Sequence, residues 1–344
     1  MEPLEIGGVR TRNRVLLAPL AGIGNWFVRL QAHRHGAGLA VSEMISSFAL
    51  AHRNRRTTEE MLRIHPDEGP VALQLFGHNP EVMREAAAIA AAAGPDLLDL
   101  NMGCPVPKVC KTGAGAALLS EPERAVALAV AAREGGGLPV TVKLRSGLGP
   151  GDRSGLELAR RLVAEAGVAA ITLHPRPAKA HHKGRPEYSL VRELARSLDV
   201  PVIVSGGART VEGARRAFSE SEAAAVMIAR GSLGDPWLFA RLTGRRERQA
   251  TPDEIVAELR WVLDRAGEHW GAERAARNLR KFYPWYLEAL GIVGPEADAY
   301  QRTESLDEVR AMLDERRRDG DDSVWVALGE AETPGSRAGA GASL

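Results

Sequence analysis

Two cysteines in 344 residues are too few for a disulfide framework, so a reducing compartment, the cytoplasm, is expected. The pair, Cys104 and Cys110, forms no C-x-x-C motif, and no metal site is expected. Charge of one sign is also missing: 45 Lys and Arg face 44 Asp and Glu, so any nucleic-acid binding has to rest on local patches. Long apolar runs are absent. The stretch 86–93 is short and alanine-rich, the N-terminal MEPLEIGGVRTRN has no apolar signal core, and no membrane association is expected. No G-x-G-x-x-G turn follows the first β-type run, which argues against the usual doubly wound dinucleotide fold.

What is present is a repeated alternation. Eight short apolar runs stand at 15–18, 39–43, 71–76, 97–101, 139–145, 169–174, 201–206 and 224–229, each followed by polar or Gly residues and a helical stretch. Most are continuously apolar, as in strands buried on both faces of a parallel sheet. Helix starts are expected at Asn79-Pro80, at a Ser120/Glu123 capping box and at Asp235-Pro236. The reading is α/β, a (β/α)₈ barrel over 1–242 followed by a small C-terminal helical domain. The segment TGRRERQA reads as a linker, Thr251 with Glu254 opens the helical domain over 251–318, and 319–344 reads as a disordered tail.

Function in such a barrel sits at the C-terminal ends of the strands. Those ends carry Pro19-Leu20-Ala21, Glu43, Gln74, Asn101 with Cys104, Lys143 with Arg145, His174 with Arg176, Ser205-Gly206-Gly207, and Ala229-Arg230. Glycines after the last two strands expose backbone N–H groups where barrels bind phosphate, and Arg230 adds charge; tight turns alone are the plainer account of those glycines. Lys143 lies inside an apolar strand and needs an anionic or electron-rich partner, such as a flavin edge. Gln74 can both donate to and accept from an amide-like edge. Cys104 stands in a polar loop just past a strand and is the reactive candidate, whereas Cys110 reads as structural. The adjacent His181 and His182 are a weak metal signal and read as a solvated or RNA-facing loop.

The segments LAPLAG (17–22), QLFG (74–77), DLNMGCPVPKVCKTGAGAALL (99–119), TVKLRSG (141–147) and TLHPR (172–176) resemble, in order, the signature of the tRNA-dihydrouridine synthases. The resemblance spans 15–285 and implies an FMN-binding barrel, with NADPH as reductant, that reduces uridine in tRNA. It implies that Pro19, Leu20 and Ala21 line the flavin, that Gln74 and Lys143 bond its ring, and that His174, Ser205, Gly206, Gly207, Ala229 and Arg230 hold its phosphate. Asn101 and Arg145 would contact the target uracil, Arg176 would reach the RNA, and Cys104 would protonate C5 after hydride reaches C6. A monomeric enzyme is expected.

The chain departs from the family pattern at several points. Ser205-Gly206-Gly207 replaces Asn-Gly-Asp, Ala229 replaces Gly, Asn25 replaces an aspartate after the first loop, and Phe282 replaces a histidine. The loop 174–188 also differs from its usual form. Basic clusters at Arg53, Arg55 and Arg56, at Lys108 and Lys111, and at Arg274, Arg277, Arg280 and Lys281 are the expected RNA contacts. The nearest alternative is an FMN barrel acting on a free pyrimidine, like dihydroorotate dehydrogenase. A barrel binding a phosphorylated metabolite accounts for the glycines and Arg230 but not for Gln74, Lys143 and Cys104 together. A catalytically silent RNA-binding protein on an enzyme fold is disfavoured by the same three residues.

Overall fold

The structure, a computed structural model, describes residues 2–319. The chain divides into two compact units between Arg248 and Gln249. In the first, the apolar runs form strands β1 (Val15–Leu17), β2 (Ala40–Ser46), β3 (Val71–Phe76), β4 (Leu97–Met102), β5 (Val140–Arg145), β6 (Ala170–His174), β7 (Val202–Ser205) and β8 (Ala225–Ile228). All neighbours pair in parallel, and β8 closes onto β1 with Val226 opposite Val15. The expected eight-stranded barrel is therefore the fold observed. Helices Trp26–Arg34, Pro80–Ala91, Pro122–Gly136, Ser154–Ala166, Tyr188–Ser197 and Val211–Ser221 cover its outer face, which is why most strands are apolar on both sides.

Helix starts follow the capping chemistry in part. Asn79 accepts from the backbone N–H of Glu81 and Val82, ahead of Pro80 in the first turn. The Ser120/Glu123 box does not form. Ser120 ends a 3₁₀ turn and donates to the Ala117 carbonyl, so the helix starts one residue later, at Pro122, with Glu121 as its cap. Asp235 is not a cap either: its carboxylate pairs with Arg241, and the helix begins at Leu238.

The barrel interior has an apolar floor. Leu16, Ala18, Val41, Ala72, Leu97, Ala170, Ile203, Ala225 and Met227 form one buried cluster with Ile6, and Leu4 and Val9 pack against it. Ile6 and Val9 belong to the two-stranded hairpin Glu5–Ile6/Val9–Arg10, which stoppers that end. Alternation along each strand then carries the next inward positions toward the opposite mouth. A register shift on β2 between Val41 and Met44 places one extra residue there and sets Met44 beside Gln74 of β3.

The second unit is helical: Pro252–Trp270, Ala272–Leu279, Tyr283–Ala289, Gly294–Arg302 and Leu306–Asp319. Thr251 and Glu254 form the expected reciprocal cap. Within this unit Arg260–Asp314 and Arg310–Asp264 pairs tie the last helix to the first. No helix among the described residues is long and apolar enough to cross a membrane. The segment read from sequence as a tail lies, from residue 320 on, outside the described residues.

Candidate active site

The polar residues above the floor sit on four adjacent strands in register. Gln74 faces Asp99, and Asp99 faces Thr141. One level higher, Asn101 faces Lys143 and Lys143 faces Thr172; above that, Arg145 faces His174. A polar ceiling thus caps an apolar floor inside one barrel, its successive levels two residues apart along each strand.

Gln74 and Asp99 are fully buried. The Gln74 Nε2 donates to Asp99 Oδ2 at 2.6 Å, and Thr141 Oγ1 donates to Asp99 Oδ1 at 2.5 Å. Burial raises the Asp99 pKa to about 6, against the two hydrogen bonds and the charge of Lys143, which lower it. Burial and then Arg145 push Lys143 down to about 8, while Asp99 and Cys104 pull the other way. Among the described residues Lys143 makes no ion pair within contact distance, and its nearest charges are Arg145, Asp99 and Cys104.

Cys104 is half-buried in the loop after β4. Asn101 Oδ1 accepts from the backbone N–H of Gly103 at 3.2 Å and of Cys104 at 2.9 Å, and Asn101 Nδ2 donates to Gln74 Oε1 at 2.9 Å. The second amide hydrogen of Asn101 rests near Met44 Sδ, at 3.8 Å. Burial lifts the Cys104 pKa and outweighs the nearby Arg145 and Lys143 charges, so the thiol keeps its proton at neutral pH. Cys110 donates its thiol hydrogen to the Cys104 carbonyl at 3.3 Å, a loop contact.

On the far side of the mouth the cations gather. Arg176 Nη1 meets His174 Nε2 at 2.9 Å. A guanidinium only donates, so this nitrogen accepts and the ring is neutral. Burial, followed by Lys143, Arg145 and Arg176, drives the His174 pKa far down. His182 stacks on His174 with centroids 6.0 Å apart. Arg230 lies in a 3₁₀ turn after Ala229 and is pushed down by burial, then by Arg209 and Arg176. Gly206 and Gly207 adopt φ of 101° and 82°. A Cβ on Gly206 would stand 2.6 Å from the His174 ring, and one on Gly207 would collide with the Tyr188 hydroxyl, which itself donates to the Gly206 carbonyl. Crowded cations beside two glycines leave a cradle suited to a phosphate. Ser205, at the end of β7, is buried beneath it.

Pro19, Leu20 and Ala21 form the loop after β1. The Leu20 carbonyl accepts from Ile23 and Gly24 at 3.0 and 2.7 Å, folding the loop back. Glu43, on the β2 segment that carries the extra residue, accepts from Gly22 N at 2.7 Å and donates its own N–H to the Gly24 carbonyl at 3.1 Å. The loop is also held from below by Arg29, whose Nη1 donates to the Gly24 carbonyl.

Two assignments read from sequence change character. Arg145 is buried and spends its donors on the carbonyls of Gly103 at 3.1 Å, Pro177 at 3.3 Å and His181 at 2.6 Å. It braces the cysteine loop against the 174–188 loop. Arg176 turns inward to His174 and bonds the Gly184 carbonyl through Nε and Nη2, rather than standing out toward an RNA face. The basic clusters are also partly spent: Arg55 pairs with Glu59, Arg56 with Glu60, and Arg280 donates to the Thr303 carbonyl. Phe282 is buried edge-on to Trp285.

Asp99, Thr141 and Tyr188 join the site beyond the residues read from sequence, and Glu43 and His182 gain partners there. Asp99 carries a signal of the same kind as Lys143, a charge inside an apolar strand. Among the described residues no group of three or more His, Cys, Asp or Glu is placed to hold a metal ion.

Comparison with known proteins places this arrangement. The family model for dihydrouridine synthase matches residues 16–316. A probable tRNA-dihydrouridine synthase of Rhizobium leguminosarum bv. phaseoli is 36% identical over 307 residues, covering 88% of this chain and 94% of that protein. The tRNA-dihydrouridine synthase B of Pasteurella multocida (strain Pm70) is 32% identical over 296 residues, 83% of this chain and 87% of that one. Among solved structures, morphinone reductase in complex with tetrahydroNAD shares the fold, with a TM-score of 0.53 at 17% identity over 74% of this chain and 93% of that chain. The matched range takes in the barrel, its polar mouth and the helical unit, and the chain belongs to the dihydrouridine synthase family.

Proposed function

We propose that this protein reduces uridines in tRNA to 5,6-dihydrouridine, with Cys104 as proton donor and FMN, reduced by NADPH, as its redox cofactor. The observation that carries this reading is one protonated thiol sharing a barrel mouth with a buried amide–lysine layer and a cationic cradle.

The residues present fit FMN. His174, Arg176 and Arg230 crowd together beside Gly206, where a Cβ would run into the His174 ring and the Arg176 guanidinium that would hold the phosphate. Backbone at Ser205, Gly207 and Ala229 borders the same cradle. Lys143 and Gln74 are the groups that would meet the ring, and the Pro19–Ala21 loop would line it. FMN held by these residues and reduced by NADPH would supply the hydride for C6 of the uracil.

The chain's own residues do the rest. A uridine has to leave the RNA stack to enter the mouth. Asn101, through the amide hydrogen that rests on Met44, borders the place its ring would occupy, and Arg145 braces the loop that carries Cys104. The Cys104 thiol delivers a proton to C5, balancing the hydride at C6. Its raised pKa keeps it in the acid form at neutral pH, and the neighbouring Lys143 and Arg145 charges stabilise the thiolate left behind.

The test is dihydrouridine formed in unmodified tRNA by the FMN-loaded protein with NADPH. The wild type forms product, and Cys104→Ala loses about 10²- to 10⁴-fold in rate. Bound FMN that NADPH reduces, with no product on any unmodified tRNA but turnover of a free pyrimidine, would replace this reading with that of a small-molecule reductase.

A further inference from the structure

We infer that Asp99 is a positioning residue: it sets which way round the amides of Gln74 and Asn101 sit, and so places an acceptor oxygen against the backbone of Cys104. The inference rests on the reading of Cys104 as the proton donor.

A side-chain amide is nearly symmetric in shape but opposite in polarity at its two ends. An ionised carboxylate only accepts. Asp99 therefore requires Gln74 to present its NH₂, which it does at 2.6 Å. The Gln74 oxygen is left facing Asn101 and accepts from Nδ2 at 2.9 Å. That turns Asn101 Oδ1 toward Gly103 and Cys104. The far end of the chain makes the same demand independently, because backbone N–H groups only donate. Both ends thus require one polarity, and no link opposes it. Thr141 adds a donor to the other Asp99 oxygen, and the Gln74 backbone N–H is held by Ser42 Oγ at 2.9 Å.

The same geometry separates this role from that of a counter-ion. Asp99 and Lys143 form no contact ion pair, whereas Asp99 contacts Gln74 directly. The carboxylate is ionised at neutral pH, and the groups facing it are Gln74 on β3 and Thr141 and Lys143 on β5.

Relocating the charge tests the relay. Asn101→Asp puts an acceptor-only group opposite the Gln74 oxygen, and the chain is frustrated. Adding Asp99→Asn lets Gln74 turn over: the amide introduced at position 99 can donate to the Gln74 oxygen, while the relocated carboxylate takes the Gln74 NH₂ and still accepts from the Cys104 N–H. The readout is the rate at which iodoacetamide alkylates Cys104, resolved from Cys110 by peptide mass spectrometry, in the flavin-free protein. Each single variant shifts that rate, and the double variant returns toward the wild type, a coupling of about 5- to 10-fold. In the loaded enzyme Asp99→Asn lowers kcat about 10-fold at unchanged KM for tRNA. If Asp99→Asn does not fold, Gln74→Met, which cuts the relay at similar volume, gives the same shift in Cys104 alkylation. Additive single effects, or Cys104 alkylation unchanged in both Asp99→Asn and Gln74→Met, would overturn the inference. A coupled cycle in a protein that makes no dihydrouridine would leave the relay standing and remove only the proposed reaction.

Discussion

Cys104 and Gly206 show how single positions set the chemistry of the mouth. Desolvation and two cations pull the Cys104 thiol in opposite directions, and desolvation wins. That suits an acid, because a thiolate has no proton to give. Lys143, Gln74 and Cys104 were legible in the sequence, being polar groups within or just past apolar strands. Asp99 offered the same signal, but its meaning depends on Gln74 and Thr141, 25 and 42 residues away. Gly206 reads from the sequence as part of an expected phosphate turn, but its need to be glycine is not visible there. Its φ of 101° and the His174 ring 2.6 Å from where a Cβ would stand appear only in three dimensions. Gly206→Ala is expected to cost about 1–3 kcal/mol in strain and to weaken FMN retention about 10-fold. Flavin absorbance in a binding titration measures the second effect. Gly94→Ala is the control, with a φ of 82° but nothing within 4 Å of its Cβ; it is expected to strain the backbone without loss of flavin.

Among the elements, the loops at the mouth are held by contacts that no local pattern announces. Arg29 and Glu68 form a bidentate pair with side chains 1% exposed, and Arg29 also donates to the carbonyls of Gly24 and Arg63. One guanidinium therefore ties the first loop to the segment before β3. Next to it Trp26 stacks on His65 at 5.0 Å, with the Arg63 guanidinium 4.7 Å from the Trp26 ring. Arg29→Met is expected to destabilise the barrel by about 3–5 kcal/mol, because Glu68 is left buried without its partner. Arg29→Met with Glu68→Leu should recover most of that in urea unfolding; equal loss in single and double variants would show that the carbonyl contacts, not the ion pair, hold the loop. Strand limits were legible to within a few residues because each strand is one apolar run. Helix starts were less so: Ser120 and Asp235 carry capping chemistry but spend it on Ala117 and Arg241.

For the molecule as a whole, buried ionisable groups set how stability follows pH. Burial pushes His33 down to about 4 and depresses His174 further. Each is neutral when folded and binds a proton more readily when unfolded, so its contribution is complete above about pH 6.5 and is lost as pH falls. Asp99 acts oppositely, holding a proton in the folded state up to about pH 6. Burial also pushes His182 down to about 4, so the depressed histidines outweigh the raised Asp99, and stability is expected to drop by about 1.4 kcal/mol or more per pH unit between pH 6 and 4. His33→Gln should flatten that slope in phosphate-free buffer, and urea midpoints at pH 7, 6 and 5 measure it. The sequence by itself determined the barrel, its eight strands and the polar residues at their ends, because hydrophobic period and turn chemistry are local properties. It also singled out Cys104 as the reactive candidate and Lys143 as a cation in need of an electron-rich partner. Only the tertiary structure decided that Arg145 braces two loops, that Arg176 turns to His174, and that Asp99 orients two amides beneath the thiol. Those roles depend on which donor meets which acceptor across neighbouring strands and loops, and that pairing is set by barrel closure and register rather than by any residue's neighbours in sequence.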